Sequence, residues 1–216
     1  LQGFALLVLF YSELKRRPQG AAHILDRGIV MFKNILIIGA GRVGKTTLAK
    51  MINQKYGYSV VSIDDIVTAL DAFPELGLSW KSDNVEKAKK LSGFLAKYLK
   101  ELSEGNKFYG GCKTGIEGAA GGLDTLLPQI NQRKYLLIGL TNNETTKEEL
   151  FESLRRHDTE DDWTYYLSDK ELAEFCAESV ELNRRFAEKF KEFNLLPFDP
   201  SKTRQEVLNE IVGALE

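Results

Sequence analysis

Histidine and cysteine are scarce in this chain of 216 residues, which contains two of each. Cys112 and Cys176 have neither the close spacing of a metal site nor the number that a disulfide framework requires, and they fit a reducing compartment such as the cytoplasm. With only His23 and His157 present, the sequence argues against a histidine-based metal site and against a serine–histidine catalytic triad.

The chain also lacks a strong net charge and a long apolar run. Its formal net charge of −2 gives no electrostatic indication of nucleic-acid binding. The apolar residues 4–11 are too few to span a bilayer, and Lys15, Arg16 and Arg17 follow them rather than precede them as in a signal peptide. We expect no membrane span. With 43% hydrophobic and 28% charged residues, the composition is that of an ordinary globular domain.

The stretch around which the chain is organised is residues 39–46, GAGRVGKT, which matches the phosphate-loop pattern G-x-x-x-x-G-K-[ST]. The apolar residues 35–38 before it predict a buried parallel strand, and residues 47–52 after it predict the start of a helix. Glycines allow the backbone to wrap a phosphate closely, and a helix N-terminus adds a partial positive charge. The pattern therefore predicts a nucleotide-phosphate site.

Roles within the loop follow from residue type. Lys45 is expected to reach the β- and γ-phosphates, and the Thr46 hydroxyl is expected to bind Mg²⁺. The three glycines also fit the dinucleotide fingerprint G-x-G-x-x-G, but the Lys45–Thr46 pair favours the phosphate loop. The residues predicted to bind nucleotide are Gly39, Ala40, Gly41, Arg42, Val43, Gly44, Lys45, Thr46 and Thr47.

Two carboxylates follow the second apolar stretch. Residues 58–63 predict a strand that ends at Asp64 and Asp65, and ligands of open α/β sheets bind beyond the carboxyl ends of the strands. We therefore predict that both contact an acceptor and that Asp64 acts as the catalytic base. Capping of the next helix is the alternative role, and one of the two acids could cap that helix while the other takes part in catalysis. Trp80, in a predicted loop over residues 71–84, is a candidate to line the acceptor pocket, although packing is the more usual role.

Weaker signals come from the middle of the chain. Residues 112–118 predict a third strand, interrupted by Gly115, whose Glu117 is a candidate for the Mg²⁺ shell or else a surface residue. Residues 135–141 predict a buried strand, and residues 195–199 predict the last one. Residues 85–102 predict an amphipathic helix. The lysines assigned to its solvated face are Lys87, Lys89, Lys90, Lys97 and Lys100.

Capping boxes mark three later helices, beginning at Thr146, Ser168 and Thr203. The first of these helices ends in Arg155 and Arg156, and an acidic, aromatic stretch follows it. Strands alternate with helices along the chain, which predicts parallel βαβ units with right-handed crossovers.

On these residues the sequence resembles the small P-loop kinases related to nucleotide, nucleoside and shikimate kinases, over about residues 33–216. The resemblance implies an α/β fold: a three-layer P-loop NTPase with a central, mainly parallel five-stranded sheet and a helical lid at about residues 142–170. It also implies Mg-ATP as the phosphoryl donor. Met31 stands where such domains often begin. We therefore predict that residues 31–216 form the domain and that residues 1–30 are an extension, either not native or loosely packed; a membrane-surface helix is the alternative.

The resemblance also assigns residues. An acid after the second strand binds or deprotonates the acceptor in this family, and Asp64 and Asp65 match that place. Arg155 and Arg156 match the lid arginines that stabilise the transferring phosphoryl group, with Arg184 and Arg185 as alternatives. Residues 199–202 match the adenine-contacting loop. Adenylate-kinase-like members carry an arginine where this chain has Thr68, and this difference favours a hydroxyl acceptor over a nucleoside monophosphate.

The sequence thus predicts a cytoplasmic kinase that uses ATP and Mg²⁺, with a small-molecule acceptor and no nucleic-acid partner. Its predicted catalytic residues are Lys45, Asp64, Arg155 and Arg156. The alternative is an ATP-binding regulatory module that hydrolyses slowly or not at all. A GTPase is disfavoured because the N-K-x-D guanine motif and the D-x-x-G switch motif are both missing.

Overall fold

The computed structural model describes residues 34–78, 84–104, 114–118, 123–131, 134–142, 144–192 and 203–215. The strands are β1 (Asn34–Gly39), β2 (Ser59–Ser62), β3 (Thr114–Gly118) and β4 (Tyr135–Leu140). The helices are α1 (Lys45–Tyr56), α2 (Ile63–Asp71), α3 (Asn84–Glu104), α4 (Leu123–Leu126), α5 (Lys147–His157), α6 (Asp169–Glu192) and α7 (Arg204–Gly213). Short 3₁₀ turns lie at Pro74–Leu76, Leu127–Gln129 and Trp163–Tyr166.

The four described strands form one parallel sheet in the order β2-β3-β1-β4. Strand β1 is central, and all six of its residues are buried, as expected for a parallel strand covered by helices on both faces. The predicted α/β architecture with a parallel sheet is confirmed. The predicted fifth strand, at residues 195–199, lies outside the described residues, as do residues 1–30.

Helices cover the sheet through residues at helical spacing. Leu48 and Ile52 of α1 are buried in the main core, together with Leu91, Leu95 and Leu99 of α3. A second, smaller core joins α5 to α6, and its buried members are Leu150, Leu154, Leu172, Cys176 and Val180. Among the described helices, none is both long enough and apolar enough to cross a membrane.

The predicted range of β2, residues 58–63, is one residue too long at each end. The strand ends at Ser62, and Ile63 is the first residue of α2. Ser62 is the N-cap of α2, since its hydroxyl accepts a hydrogen bond from the Asp65 N–H at 3.4 Å. Asp64 and Asp65 therefore lie in the first helical turn, and the alternative that one of them caps this helix is wrong.

The prediction that Lys87 lies on the solvated face of α3 is also wrong. Its residue is 5% exposed. The reason is its spacing, because Lys87 precedes Leu91 and Leu95 at intervals of four and so shares their buried face. Lys89, Lys90, Lys97 and Lys100 are exposed as predicted, and Lys90 pairs with Glu86 at 2.8 Å.

Candidate functional site

The loop between β1 and α1 has the backbone shape that its glycines allow. A Cβ atom added at Gly39 would collide with the carbonyl oxygen of Leu140 on the neighbouring strand, so only glycine fits there. Gly44, the N-cap of α1, has φ 96° and supplies no side-chain cap, and the first turn of α1 contains no acidic residue. The start of α1 therefore offers backbone N–H groups and a positive helix end, as an anion site requires.

Lys45 lies inside this loop. Its residue is 6% exposed, and its Nζ donates a hydrogen bond to the carbonyl oxygen of Ala40 at 2.7 Å. The side chain thus follows the concave side of the loop, where its charge can meet a phosphate. Thr46 and Thr47, which follow it in the first turn of α1, are exposed.

Arg42, at the tip of the loop, bonds to a distant part of the chain. Its Nη2 pairs with Asp158 and its Nη1 with Asp162, both of which lie in the segment 142–170 that was predicted as a lid. The Asp158 side chain is 4% exposed, and its other oxygen accepts a hydrogen bond from the Thr164 hydroxyl. Hydrogen bonding from Arg42, and next from the Thr159 backbone, lowers the pKa of Asp162 below its usual range. The sequence pattern indicates Arg42 only as a loop residue and carries no signal for either aspartate.

The predicted lid arginines differ in their partners. Arg155 donates from Nη2 to Asp169 Oδ1 at 2.7 Å and to the Leu167 carbonyl at 2.8 Å. These bonds connect α5 to the start of α6. The Arg155 guanidinium also lies 5.5 Å from the centre of the Phe151 ring. Arg156 is exposed near the end of α5. Arg184 and Arg185, the alternatives, are exposed on α6 and both pair with Glu181, at 3.9 and 3.0 Å.

The acceptor side of the predicted site lies beyond β3 and β2. Asp64 is half-buried and Asp65 is exposed. The register sets the backbone of Glu117 between Ile37 of β1 and Ser62 of β2. Two strand spacings therefore separate the loop-bearing strand from the strand before Asp64, a distance of about 10 Å. The side chain of Glu117 and the whole of Trp80 lie outside the described residues.

A cavity of about 440 Å³ lies on the β4 side of the loop, large enough for a small organic ligand. Asn142, after β4, is fixed by its N–H, which donates to Asn183 Oδ1 at 2.8 Å. Arg204 of α7 lies against Gly44, with its Cδ 3.2 Å from where a Cβ of that glycine would be. Burial lowers the pKa of Arg204, and the Arg42 charge lowers it further, with partial compensation by Asp158. The sequence offered no signal for these lining residues, since they come from separate elements.

The described residues contain no cluster of three or more histidine, cysteine, aspartate or glutamate side chains that could hold a metal ion. Mg²⁺ held by phosphate oxygens and one hydroxyl needs no such cluster. The exposed hydroxyl of Thr46, next to Lys45, fits that arrangement.

Comparison with known proteins identifies the fold. No protein-family model matches the sequence, and no curated protein matches it. Among solved structures, a gluconokinase from Sinorhizobium meliloti 1021 is similar, with a TM-score of 0.50 and 15% identity over 85% of this chain and 92% of that chain. A deoxyadenosine kinase from M. mycoides aligns over 84% of this chain and 98% of that chain, with a TM-score of 0.42 and 14% identity. The likeness to the gluconokinase confirms the predicted resemblance in fold to the small P-loop kinases.

Proposed function

We propose that the chain is an ATP-dependent phosphotransferase that moves the γ-phosphoryl group of Mg-ATP to a hydroxyl group of a small molecule. The observation that carries this proposal is the position of Lys45, an ammonium group buried against the Ala40 carbonyl inside a glycine loop at a helix N-terminus. A buried charge is costly unless polar groups surround it, and phosphate oxygens are natural partners for this loop. The kinase fold of the gluconokinase is consistent with this chemistry.

The donor would lie along residues 39–47. Lys45 would bond to the β- and γ-phosphates, and Thr46 would hold Mg²⁺, which offsets charge on the phosphate oxygens when it is bound. The cavity on the β4 side would then hold the ribose and base, near Asn142 and Arg204. Its polar lining suits a nucleoside, whose hydroxyl and ring-nitrogen atoms need hydrogen-bond partners.

The acceptor would lie on the other side of the loop. The C-terminal ends of β1 and β2 lie about 10 Å apart on either side of β3 and would flank a γ-phosphoryl group and an acceptor hydroxyl bound beyond that edge of the sheet. Asp64 would take the proton from that hydroxyl, while Asp65, Trp80 and Glu117 would contact the acceptor or the metal shell. Arg156 is exposed near the end of α5, whereas Arg155 would first have to leave Asp169 and Leu167 to meet the transferring phosphate.

One observation favours a second candidate, an ATP-binding regulatory module that hydrolyses slowly or not at all. Arg155 directs its guanidinium to Leu167 and Asp169, both within the segment 142–170, and not to the loop. We take residues 31–216 as one domain with residues 142–170 as its lid. We also propose a cytoplasmic location, on the ground that Cys176 is a free thiol.

Titration calorimetry with Mg-ATP tests the donor site. Lys45→Ala removes the charge aimed at the phosphates, and Lys50→Ala, an exposed lysine on the same helix, is the matched control. We expect binding by the wild type and by Lys50→Ala and none by Lys45→Ala. Equal affinity in all three proteins would contradict the proposed donor site.

A panel of nucleosides, sugars and small hydroxy acids, assayed with labelled ATP, then separates the two candidates. Transfer of label to a panel member that depends on Lys45 supports the phosphotransferase. Intact binding of Mg-ATP without transfer to any member supports the regulatory module instead.

A further inference from the structure

We propose that Asp158 and Asp162 are positioning residues that hold Arg42, and that the three side chains, here called the clamp, couple the lid to the occupancy of the phosphate loop. The coupling rests on the proposed function, since it assumes that a nucleoside triphosphate binds the loop. The clamp itself rests only on contacts within the chain.

The backbone of Arg42 is the first reason. Its φ is 62°, and it is the one non-glycine with a positive φ among the described residues. L-amino acids rarely adopt this conformation, so interactions elsewhere have to stabilise it. The ion pairs with Asp158 and Asp162 are the interactions that the structure shows.

The aspartates are themselves fixed, which is the second reason. The Asp158 carboxylate oxygen that does not contact Arg42 accepts a hydrogen bond from the Thr164 hydroxyl. The Asp158 N–H donates to the Leu154 carbonyl of α5 at 2.9 Å. Asp162 Oδ2 accepts from the Thr159 N–H at 3.0 Å. Each carboxylate is therefore built into the lid and directs one oxygen to Arg42. Moving Arg42 would disturb both the end of α5 and the turn that follows it.

An apolar contact beside the clamp provides a reporter. The ring of Phe175 on α6 lies 3.5 Å from where a Cβ of Gly41 would be, so α6 rests on the loop next to Arg42. Trp163 packs edge-on against Phe175, with ring centroids 4.9 Å apart. A displacement of the lid from the loop changes the surroundings of this tryptophan.

The charges at the loop determine whether nucleotide binding strengthens or weakens the clamp. A bound triphosphate places several negative charges on the loop that carries Arg42, and its oxygens compete with Asp158 and Asp162 for the same guanidinium. The carboxylates also repel the phosphates. Nucleotide binding therefore loosens the clamp, and by reciprocity weakening the clamp strengthens nucleotide binding.

Hydrogen exchange without any ligand tests the clamp. Arg42→Gly removes the guanidinium, while glycine accepts the positive φ without strain. We expect amide exchange over residues 158–167 to accelerate about tenfold or more, because local opening becomes easier. The amide exchange rates of α7 should not change. Exchange at the wild-type rate over these residues would overturn the clamp.

Calorimetry with Mg-ATP tests the coupling. Asp162→Asn keeps the shape of the side chain and removes its charge, and Asp161→Asn is the matched control because Asp161 is exposed and one residue away. We expect Asp162→Asn to bind Mg-ATP about fivefold tighter than wild type, at the lower end of usual coupling energies, and Asp161→Asn to bind as wild type. A merely structural role for Asp162 would weaken binding.

In a Trp80→Phe background, Mg-ATP should also change the fluorescence of Trp163, and Arg42→Gly should abolish that change. Normal binding with no gain in Asp162→Asn overturns the coupling alone. Absence of binding by the wild type overturns the proposed function and the coupling with it, and the exchange experiment then still decides the clamp.

Discussion

Gly139 of β4 and Phe190 of α6 are in such close contact that a Cβ atom added to the glycine would lie 2.7 Å from the phenyl ring. Phe190 is completely buried in the main core. This contact fixes the C-terminal half of α6 to the strand next to β1, whereas the N-terminal half of the same helix packs on α5 and on the phosphate loop. One helix therefore belongs to both cores.

The contact predicts that adding a single methyl group at Gly139 lowers the stability of the protein. Gly139→Ala forces the added methyl group against the Phe190 ring, and overpacking of this kind costs about 1–3 kcal/mol. Urea unfolding should show that loss in the free energy of unfolding. Gly93→Ala is the matched control, because nothing lies within 4 Å of its added Cβ in the middle of α3. It should stabilise by up to about 1 kcal/mol through helix propensity. Equal stability of the two variants would contradict the contact.

Asp64 and Asp65 provide a comparison at adjacent positions. Both lie in the first turn of α2, so each stabilises the helix end by a similar small amount. If Asp64 is the base, Asp64→Asn loses about 10²-fold or more in phosphoryl transfer while Mg-ATP binding survives. Asp65→Asn, at the more exposed position, should change stability or Mg²⁺ dependence instead. A wild-type rate of transfer by Asp64→Asn would show that another group takes the proton.

The capping boxes predict a loss of stability in acid. Hydrogen bonds from the backbone and hydroxyl of Thr146 lower the pKa of Glu149, and those from the hydroxyl and backbone of Ser168 lower the pKa of Glu171. A carboxylate with a lowered folded-state pKa stabilises the protein above its unfolded pKa, about 4.3 for glutamate, and this stabilisation disappears as the pH falls through the folded value.

The free energy of unfolding should therefore decrease at pH values below about 4. Its dependence on pH should be shallower in Glu149→Gln. Glu148→Gln is the control, since Glu148 is exposed in the same turn. Identical pH profiles for wild type and Glu149→Gln would contradict the role of the cap.

The thiol of Cys176 should react slowly with disulfide reagents in the native protein. Burial raises the pKa of this thiol, an effect partly opposed by the positive charge of Arg155, so little thiolate is present at neutral pH. In a Cys112→Ser variant, reaction with a chromogenic disulfide at pH 8 should be slow in the native protein and fast in guanidinium. Reaction of the native protein at the rate of a free thiol would show that the α5–α6 core opens readily.

Local patterns in the sequence predicted the features that depend on neighbouring residues alone. The apolar run of β1, the glycine loop ending in Lys45, and the capping boxes at Thr146 and Thr203 all appear where they were expected. Each is set by spacing or residue type within a few positions. The fold class followed from the same patterns, since strands that alternate with helices favour a parallel sheet.

The failures have physical causes. Ile63 has the β-branched side chain of a strand residue, but the Ser62 hydroxyl before it accepts a hydrogen bond from the Asp65 N–H and caps the helix, so the helix starts one residue early. The charge of Lys87 favours an exposed position, whereas its spacing to Leu91 decides its burial. The clamp leaves no local signal in the sequence, because Arg42 and Asp158 are 116 positions apart and only the folded chain brings them together.

The dual attachment of α6 gives this helix mechanical leverage. From Phe190 to Asp169 the helix runs for about 30 Å at 1.5 Å per residue. If Phe190 acts as the pivot, a tilt of about 5° moves the Asp169 end by about 3 Å, roughly the length of one hydrogen bond. Small repacking around β4 would then be amplified at the far end, where Asp169 meets Arg155. Substitutions at the pivot are thus able to change the geometry above the phosphate loop without touching it.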